Sequence, residues 1–209
     1  GLPHIIWFPK FHKPMLSQRF VVSYSGCSIK PLAKYVTLGL KAVYKQICNY
    51  SNMMYKVTGI RRNWIIQNNQ PILDCLYDVN CKSKARNIQT YDFSTLYTML
   101  SHSDIKQALT AVVKLAFKHS KKCKIAIYNE RSFSWVNTTK DKTFYFNCDT
   151  LIDSIIYLID NCYSSLGPYV FRQVVGVPIG VDPGPYMANL TLWFYENKYM
   201  ERMTKIDYY

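Results

Sequence analysis

The chain predicts an α+β fold, and three observations carry that expectation. Short runs rich in β-branched and aromatic residues occur near 5–8, 18–23, 87–91, 125–128, 133–136 and 143–146, the pattern of strands with a buried face. Apolar residues recur every three to four positions over 32–47, 105–117 and 151–159, which predicts helices with one stripe turned inward. With 49% apolar and 15% aromatic residues, 209 residues are enough for one large core or two small lobes.

Taken in order, Ile5-Ile6-Trp7-Phe8 reads as an apolar strand leading into the basic, proline-broken segment Pro9 to Pro14, and Gln18-Arg19-Phe20-Val21-Val22-Ser23 as its return. Lys10, Lys13 and Arg19 cluster on this hairpin. A guanidinium or ammonium near a strand turn either stays solvated or neutralises a phosphate. Pro31 suits the first turn of a helix whose inward face is Leu32, Val36, Leu40, Val43 and Ile47. Gly39 weakens that helix slightly. Residues 61–86 read as helical elements with a loop near Lys82 to Arg86, and their basic residues either line a nucleic-acid path or form a solvated surface.

The run Asn87-Ile88-Gln89-Thr90-Tyr91 alternates as a strand should, so Asp92 stands at a strand end, followed by Phe93-Ser94-Thr95-Leu96-Tyr97. Taken alone, such an aspartate either caps a turn or holds a divalent cation, with the following backbone N–H groups free for a polyphosphate. A helix is expected from Asp104-Ile105 to His119, with Ser101 and Asp104 spaced as a capping box. The lysine-rich loop 118–124, with Lys121 and Lys122, precedes a hairpin of Ile125–Tyr128 and Phe133–Val136 turning at Asn129-Glu130. Basic residues beside aromatics suit a nucleic-acid strand, although such aromatics more commonly fill a core. After a strand at 143–146, Asp149 or Thr150 is expected to cap a helix with Leu151, Ile152, Ile155, Ile156 and Ile159 inward, stopped by Gly167-Pro168. From Gly176 to Pro185, three glycines and three prolines predict a rigid turn between a strand and a long aromatic helix.

Three blocks in this order resemble the reverse transcriptases of Penelope-like retroelements. Pro9-Lys10-Phe11-His12-Lys13-Pro14 with Arg19-Phe20-Val21-Val22-Ser23 is similar to their fingers motifs, with Phe20 where proline is usual. Asp92-Phe93-Ser94-Thr95-Leu96-Tyr97-Thr98 resembles the first catalytic motif. Gln173, Gly176, Pro178, Gly180, Pro185, Ala188, Asn189 and Leu190 match the glycine-rich second motif, with Ile179 and Gly184 departing from the usual residues. The resemblance implies a partial right-hand polymerase: a fingers-like region over 1–86, and a palm-like region over 87–209 with an incomplete antiparallel sheet. It implies that Asp92 is catalytic and, with the Phe93 carbonyl, holds two Mg²⁺ ions. The backbone of Phe93, Ser94, Thr95, Leu96 and Tyr97 would cradle a deoxynucleoside triphosphate, assisted by Lys10 and Arg19. Tyr97 would exclude a ribose 2′-hydroxyl, and Ile179 and Gly180 would lie beneath the nascent base pair. Lys13, Lys121, Lys122 and Gln173 would meet the RNA template and DNA primer.

Composition narrows the partners independently of that resemblance. A formal charge of +13 implies a polyanionic partner, nucleic acid first. No apolar run reaches the eighteen or so residues that span a bilayer, so no membrane partner is expected. Seven cysteines form no Cys-x-x-Cys pair, which argues against zinc and for a reducing nuclear or cytoplasmic setting. The chain opens at Gly1 without an initiator methionine or secretory signal, so an internal fragment is expected. It contains no Asp-Asp dipeptide, which the family supplies from a hairpin shortly after the second motif, and Ile206-Asp207-Tyr208-Tyr209 reads as the approach to that hairpin. The expected function is therefore that of an RNA-directed DNA polymerase fragment, inactive by itself. The alternative is a non-catalytic nucleic-acid-binding remnant of such a polymerase.

Overall fold

The computed structural model describes residues 1–9, 18–63, 65–66, 68–82, 89, 96–129, 131–140, 143–177 and 182–202, with the backbone alone for Gln18, Arg19, Leu96 and Tyr97. Within them the fold is mixed α and β. Strands β1 (His4–Pro9) and β2 (Gln18–Ser23) form the expected antiparallel hairpin, Phe8 facing Arg19 across the ladder. Helix α1 (Lys30–Thr58) starts with Pro31 in its first turn. Proline has no backbone N–H, so at this position it leaves no helical bond unmade. The helix ends where Gly59 adopts φ 70°, its N–H donating to the Tyr55 carbonyl at 2.8 Å, a left-handed cap that costs glycine little.

Gly39, which propensity marks as a weak point, has a packing reason. A Cβ there would lie 2.8 Å from Leu151 Cδ1 and 3.4 Å from Phe146 Cδ2. The missing side chain therefore lets α1 approach α5 (Cys148–Asp160) and β5 (Phe144–Phe146) closely. Val36, Leu40, Val43 and Ile47 are fully buried, as their spacing requires.

Beyond α1, the short α2 (Gln70–Cys81) gives the 61–86 stretch its helix, and Lys82 ends it. The single turn α3 (Leu96–Met99) is followed by α4 (His102–Ser120). Ser101 caps α4, its Oγ accepting from the Asp104 N–H at 3.0 Å and donating to Asp104 Oδ2 at 2.6 Å. Satisfying one of the four orphan N–H groups in this way fixes where the helix starts. Strands β3 (Lys124–Ile127) and β4 (Phe133–Val136) pair as expected. Asn129 sets their turn, its Oδ1 accepting from the Arg131 and Ser132 N–H groups at 2.8 Å each. With β5 they form a sheet of order β4-β3-β5.

Two expectations need correction. The cap of α5 is Asn147, neither Asp149 nor Thr150. Asn147 Oδ1 accepts from the Thr150 N–H at 2.8 Å, while Thr150 Oγ1 accepts from the Asn147 N–H at 2.9 Å. This reciprocal box satisfies two donors at once, which a cap further along could not match with the same residues. Nor does α5 run on to Gly167-Pro168. It stops at Asp160, where both the backbone N–H and side-chain amide of Asn161 bond to the Tyr157 carbonyl. Gly167, at φ 59°, instead turns a hairpin between β6 (Tyr163–Leu166) and β7 (Tyr169–Arg172).

That hairpin joins the first one in a sheet of order β2-β1-β6-β7. This sheet is mixed: β6 and β7 pair antiparallel, while β1 lies parallel to β6 through His4 and Ser165, and the Ser165 N–H donates to Pro3 O at 2.8 Å. Helix α6 (Gly184–Met200) closes the fold, with Trp193, Leu190 and Met187 buried. Residues of α1, α4, α5, α6 and β3 share one apolar core that draws on both sides of position 87.

Candidate functional site

The turn around Gly176 meets the chain at the start of α4. Ser101 forms a β-bridge with Val175, and the Gly176 N–H donates to the Leu100 carbonyl at 2.7 Å. His102 Nε2 donates to the Gly176 carbonyl at 3.0 Å. Gly176 holds φ 89°, backbone that a side chain would strain, so both its amide and its carbonyl can face the α4 terminus. Residues 100–102 and the turn beginning at Gln173 are thereby stitched together.

Gln173 braces that turn from within. Its Nε2 donates to the Val175 carbonyl at 2.9 Å and the Val177 carbonyl at 3.4 Å, and its N–H donates to Cys162 O at 2.8 Å. Behind the joint lies an ionic cluster. Lys106 pairs with Asp160 Oδ1, while Arg172 donates from Nε to the Asp160 carbonyl at 3.1 Å and holds Nη2 4.0 Å from the same carboxylate. From α6, Tyr195 reaches the Asp104 carboxylate. Burial, then the Asp104 charge and the hydrogen bond to it, raise the Tyr195 phenol above its usual range.

His102 is shifted the other way. Burial lowers its pKa most; the bond to Gly176 and the Asp160 charge oppose this, while Lys106 and Arg172 add to it. A neutral imidazole donating from Nε2 is the form that suits the joint.

The basic loop after α4 lies apart from this joint in sequence. Lys121 ends α4 at φ 54° and is exposed, as is Lys122. Beyond them, Lys124 Nζ lies 4.2 Å from the centroid of the Tyr145 ring, and Tyr35 stacks on Phe144 at 4.4 Å. Tyr145 and Phe144 remain partly open to solvent, so cation and aromatic faces adjoin on one surface.

Arg19 lies on β2 at the level of Phe8, and Gln173 follows Arg172, which pairs with Tyr163. Because β6 runs parallel to β1 with Ser165 beside His4, the register carries Arg19 toward the end of the sheet opposite Gln173. Leu96 and Tyr97 open α3. Lys10, Lys13, Asp92, Phe93, Ser94, Thr95, Ile179 and Gly180 lie outside the described residues, as do residues 87, 88, 90 and 91 of the expected strand. Among the described residues no cluster of His, Cys, Asp or Glu could hold a metal, and no helix is long and apolar enough to cross a membrane. All seven cysteines are free thiols.

Reading by residue type missed His102, Lys106, Asp160 and Arg172. A lone histidine after a cap and one lysine on a helix carry no mark of a partner, and His102 and Gly176 are 74 positions apart. No protein-family model matches this chain, and no curated protein or solved structure matches it.

Proposed function

We propose that the chain is part of an RNA-directed DNA polymerase of the Penelope-like kind, with fingers-like residues 1–86 and palm-like residues 87–209. The observation that supports this reading most is the joint of Ser101, Leu100 and His102 with Val175 and Gly176, which ties the second motif to the segment leaving the first. A polymerase needs its catalytic carboxylate and the turn beneath the nascent base pair held in one frame.

In this reading Asp92 and the Phe93 carbonyl are the chain's share of a site for two Mg²⁺ ions, which when bound activate a primer hydroxyl and neutralise the leaving pyrophosphate. The backbone amides from Phe93 to Tyr97, with Arg19 and Lys10, bind the deoxynucleoside triphosphate, and Tyr97 screens its sugar. Ile179 and Gly180 support the base pair. Lys13, Lys121, Lys122 and Gln173 meet the RNA template and DNA primer. With no Asp-Asp dipeptide in the sequence, these 209 residues bind nucleic acid without extending it.

A titration tests this. An RNA–DNA primer–template should bind with an affinity that falls about a thousandfold between roughly 50 and 200 mM salt, the loss expected for about six phosphate contacts. The same mixture, given all four deoxynucleotides and Mg²⁺, should show no extension. Binding that is absent or insensitive to salt would remove the nucleic-acid reading.

A further inference from the structure

The sheet β4-β3-β5 turns one face to the core and the other to solvent. Ile125, Ile127 and Phe146 belong to the apolar core, and Phe133 and Trp135 pack against it. Side chains alternate along a strand, so the paired row Ser134, Ala126 and Tyr145 lies on the opposite face. Lys124 and Tyr128 share that face, two positions to either side of Ala126. The Tyr128 N–H donates to the Ser132 carbonyl at 3.1 Å, so the alternation carries on past the end of β3. Two contacts agree with this assignment: the hydroxyls of Tyr128 and Ser134 lie 2.8 Å apart, and Lys124 Nζ sits 4.2 Å from the centroid of the Tyr145 ring.

Tyr128 is 58% exposed and Tyr145 41% exposed. They are diagonal neighbours across β3 and β5, a relation that sets two side chains about 7–8 Å apart. Ala126 beside them is buried and too small to rise between the rings. Each tyrosine is steadied at one point, Tyr128 through its hydroxyl and Tyr145 by the lysine, so little freedom is lost when a flat group settles on them. A cation–π contact at an exposed site is weak. Lys124 can therefore turn from the Tyr145 ring to an anion and leave the ring to another partner.

Charge decides what that partner is. From Lys121 to Phe146 the sequence places Lys121, Lys122, Lys124, Arg131, Lys140 and Lys142 against only Glu130 and Asp141. Arg131 is exposed in the turn that follows Tyr128. Open aromatic rings between a lysine at one end of β3 and an arginine beyond the other call for a partner that alternates planar apolar groups with anionic ones. An unpaired nucleic-acid strand has that chemistry.

We infer that the solvent face of this sheet binds single-stranded nucleic acid, with successive bases stacked on Tyr128 and Tyr145 and the flanking phosphates on Lys124 and Arg131. The platform consists of β3, β4, β5 and the turn at Asn129. It stands or falls separately from Asp92 and from the polymerase reading.

Fluorescence anisotropy with a labelled octathymidylate tests the inference on the full chain. Tyr128→Leu and Tyr145→Leu keep apolar bulk but remove the aromatic face, so each should weaken binding about five- to tenfold. Tyr128→Phe and Tyr145→Phe keep the face and should bind like the parent. Neither leucine variant should change the salt dependence, whereas Lys124→Gln should flatten the slope of log affinity against log salt by about 0.7, the share of one phosphate on a single strand. Melting temperatures of all five variants show whether each is folded under the assay conditions. Four results would overturn the inference: no binding of octathymidylate by the parent, leucine variants that bind as the parent does, polyglutamate of equal charge competing as well as the oligonucleotide, or binding to phosphatidylserine vesicles where octathymidylate fails.

Discussion

The two sheets of this molecule bury their apolar residues to different degrees, although Phe144 and Tyr145 of β5 are themselves about two-fifths exposed. In β3, Ile125, Ala126 and Ile127 are all buried, and Phe146 of β5 is 2% exposed. Across the fold, β1 and β2 leave Trp7, Phe8 and Phe20 about half exposed, and β7 exposes Tyr169, Val170 and Phe171. One sheet is backed by α1 and α5 and shares their core; the other offers a broad apolar and aromatic surface. Apolar area of that kind is uncommon on a monomer's surface unless something covers or contacts it. The cost of losing an apolar side chain is therefore expected to differ between the sheets.

The division makes ordered predictions. Ile125→Ala, in the buried sheet, should cost about 2–5 kcal/mol by chemical denaturation. Asn147→Ala, which removes the cap joining β5 to α5, should cost about 1 kcal/mol, while Asp149→Ala should change little. Phe171→Ser, on the open sheet, should stay within about 0.5 kcal/mol of the parent protein. A loss at Phe171 as large as that at Ile125 would break the comparison, because it would mean the open sheet is packed in solution.

A pH scan probes the joint between α4 and the Gly176 turn. The pKa of His102 is lower in the fold than in the unfolded chain, chiefly through burial, so the unfolded chain binds the proton more readily. Its contribution to stability is present above the unfolded value near 6.5 and declines as pH falls toward the folded value. His102→Gln keeps a donor for the Gly176 carbonyl and removes the titration. Between pH 8 and 5 the variant's melting temperature should therefore fall less than the parent's, and parallel curves would show that His102 does not titrate in this way.

Local pattern made much of the fold legible and left its long-range pairings hidden. The β1–β2 and β3–β4 hairpins follow from period-two runs and turn residues, and α1 and α4 from apolar stripes bounded by Pro31 and Ser101. Gly167-Pro168 turns a hairpin where a helix stop is expected because the same dipeptide punctuates both, and the Asn161 side chain ends α5 earlier. Asp149 and Thr150 yield the cap to Asn147 because Asn147 and Thr150 satisfy each other. The parallel pairing of β1 with β6 joins residues some 160 positions apart, as in Ser165 Oγ to Pro3 O, and no local propensity encodes it. At the joint, Gln173 and Gly176 could be singled out through the resemblance of their block, whereas Asp92 lies outside the described residues. The contacts of Ser101 and His102 with the second motif could not, since they exist only after α4 and β7 have packed.

The most direct measurement of the polymerase reading concerns Asp92. In a chain that continues into a Tyr/Phe-x-Asp-Asp hairpin, primer extension on an RNA template with Mg²⁺ should fall at least about a thousandfold on Asp92→Asn, the scale of losing a group that acts directly on the transition state. The melting temperature and primer–template affinity should stay near those of the parent. Extension undiminished by Asp92→Asn would contradict the assignment of this residue and the reading built on it.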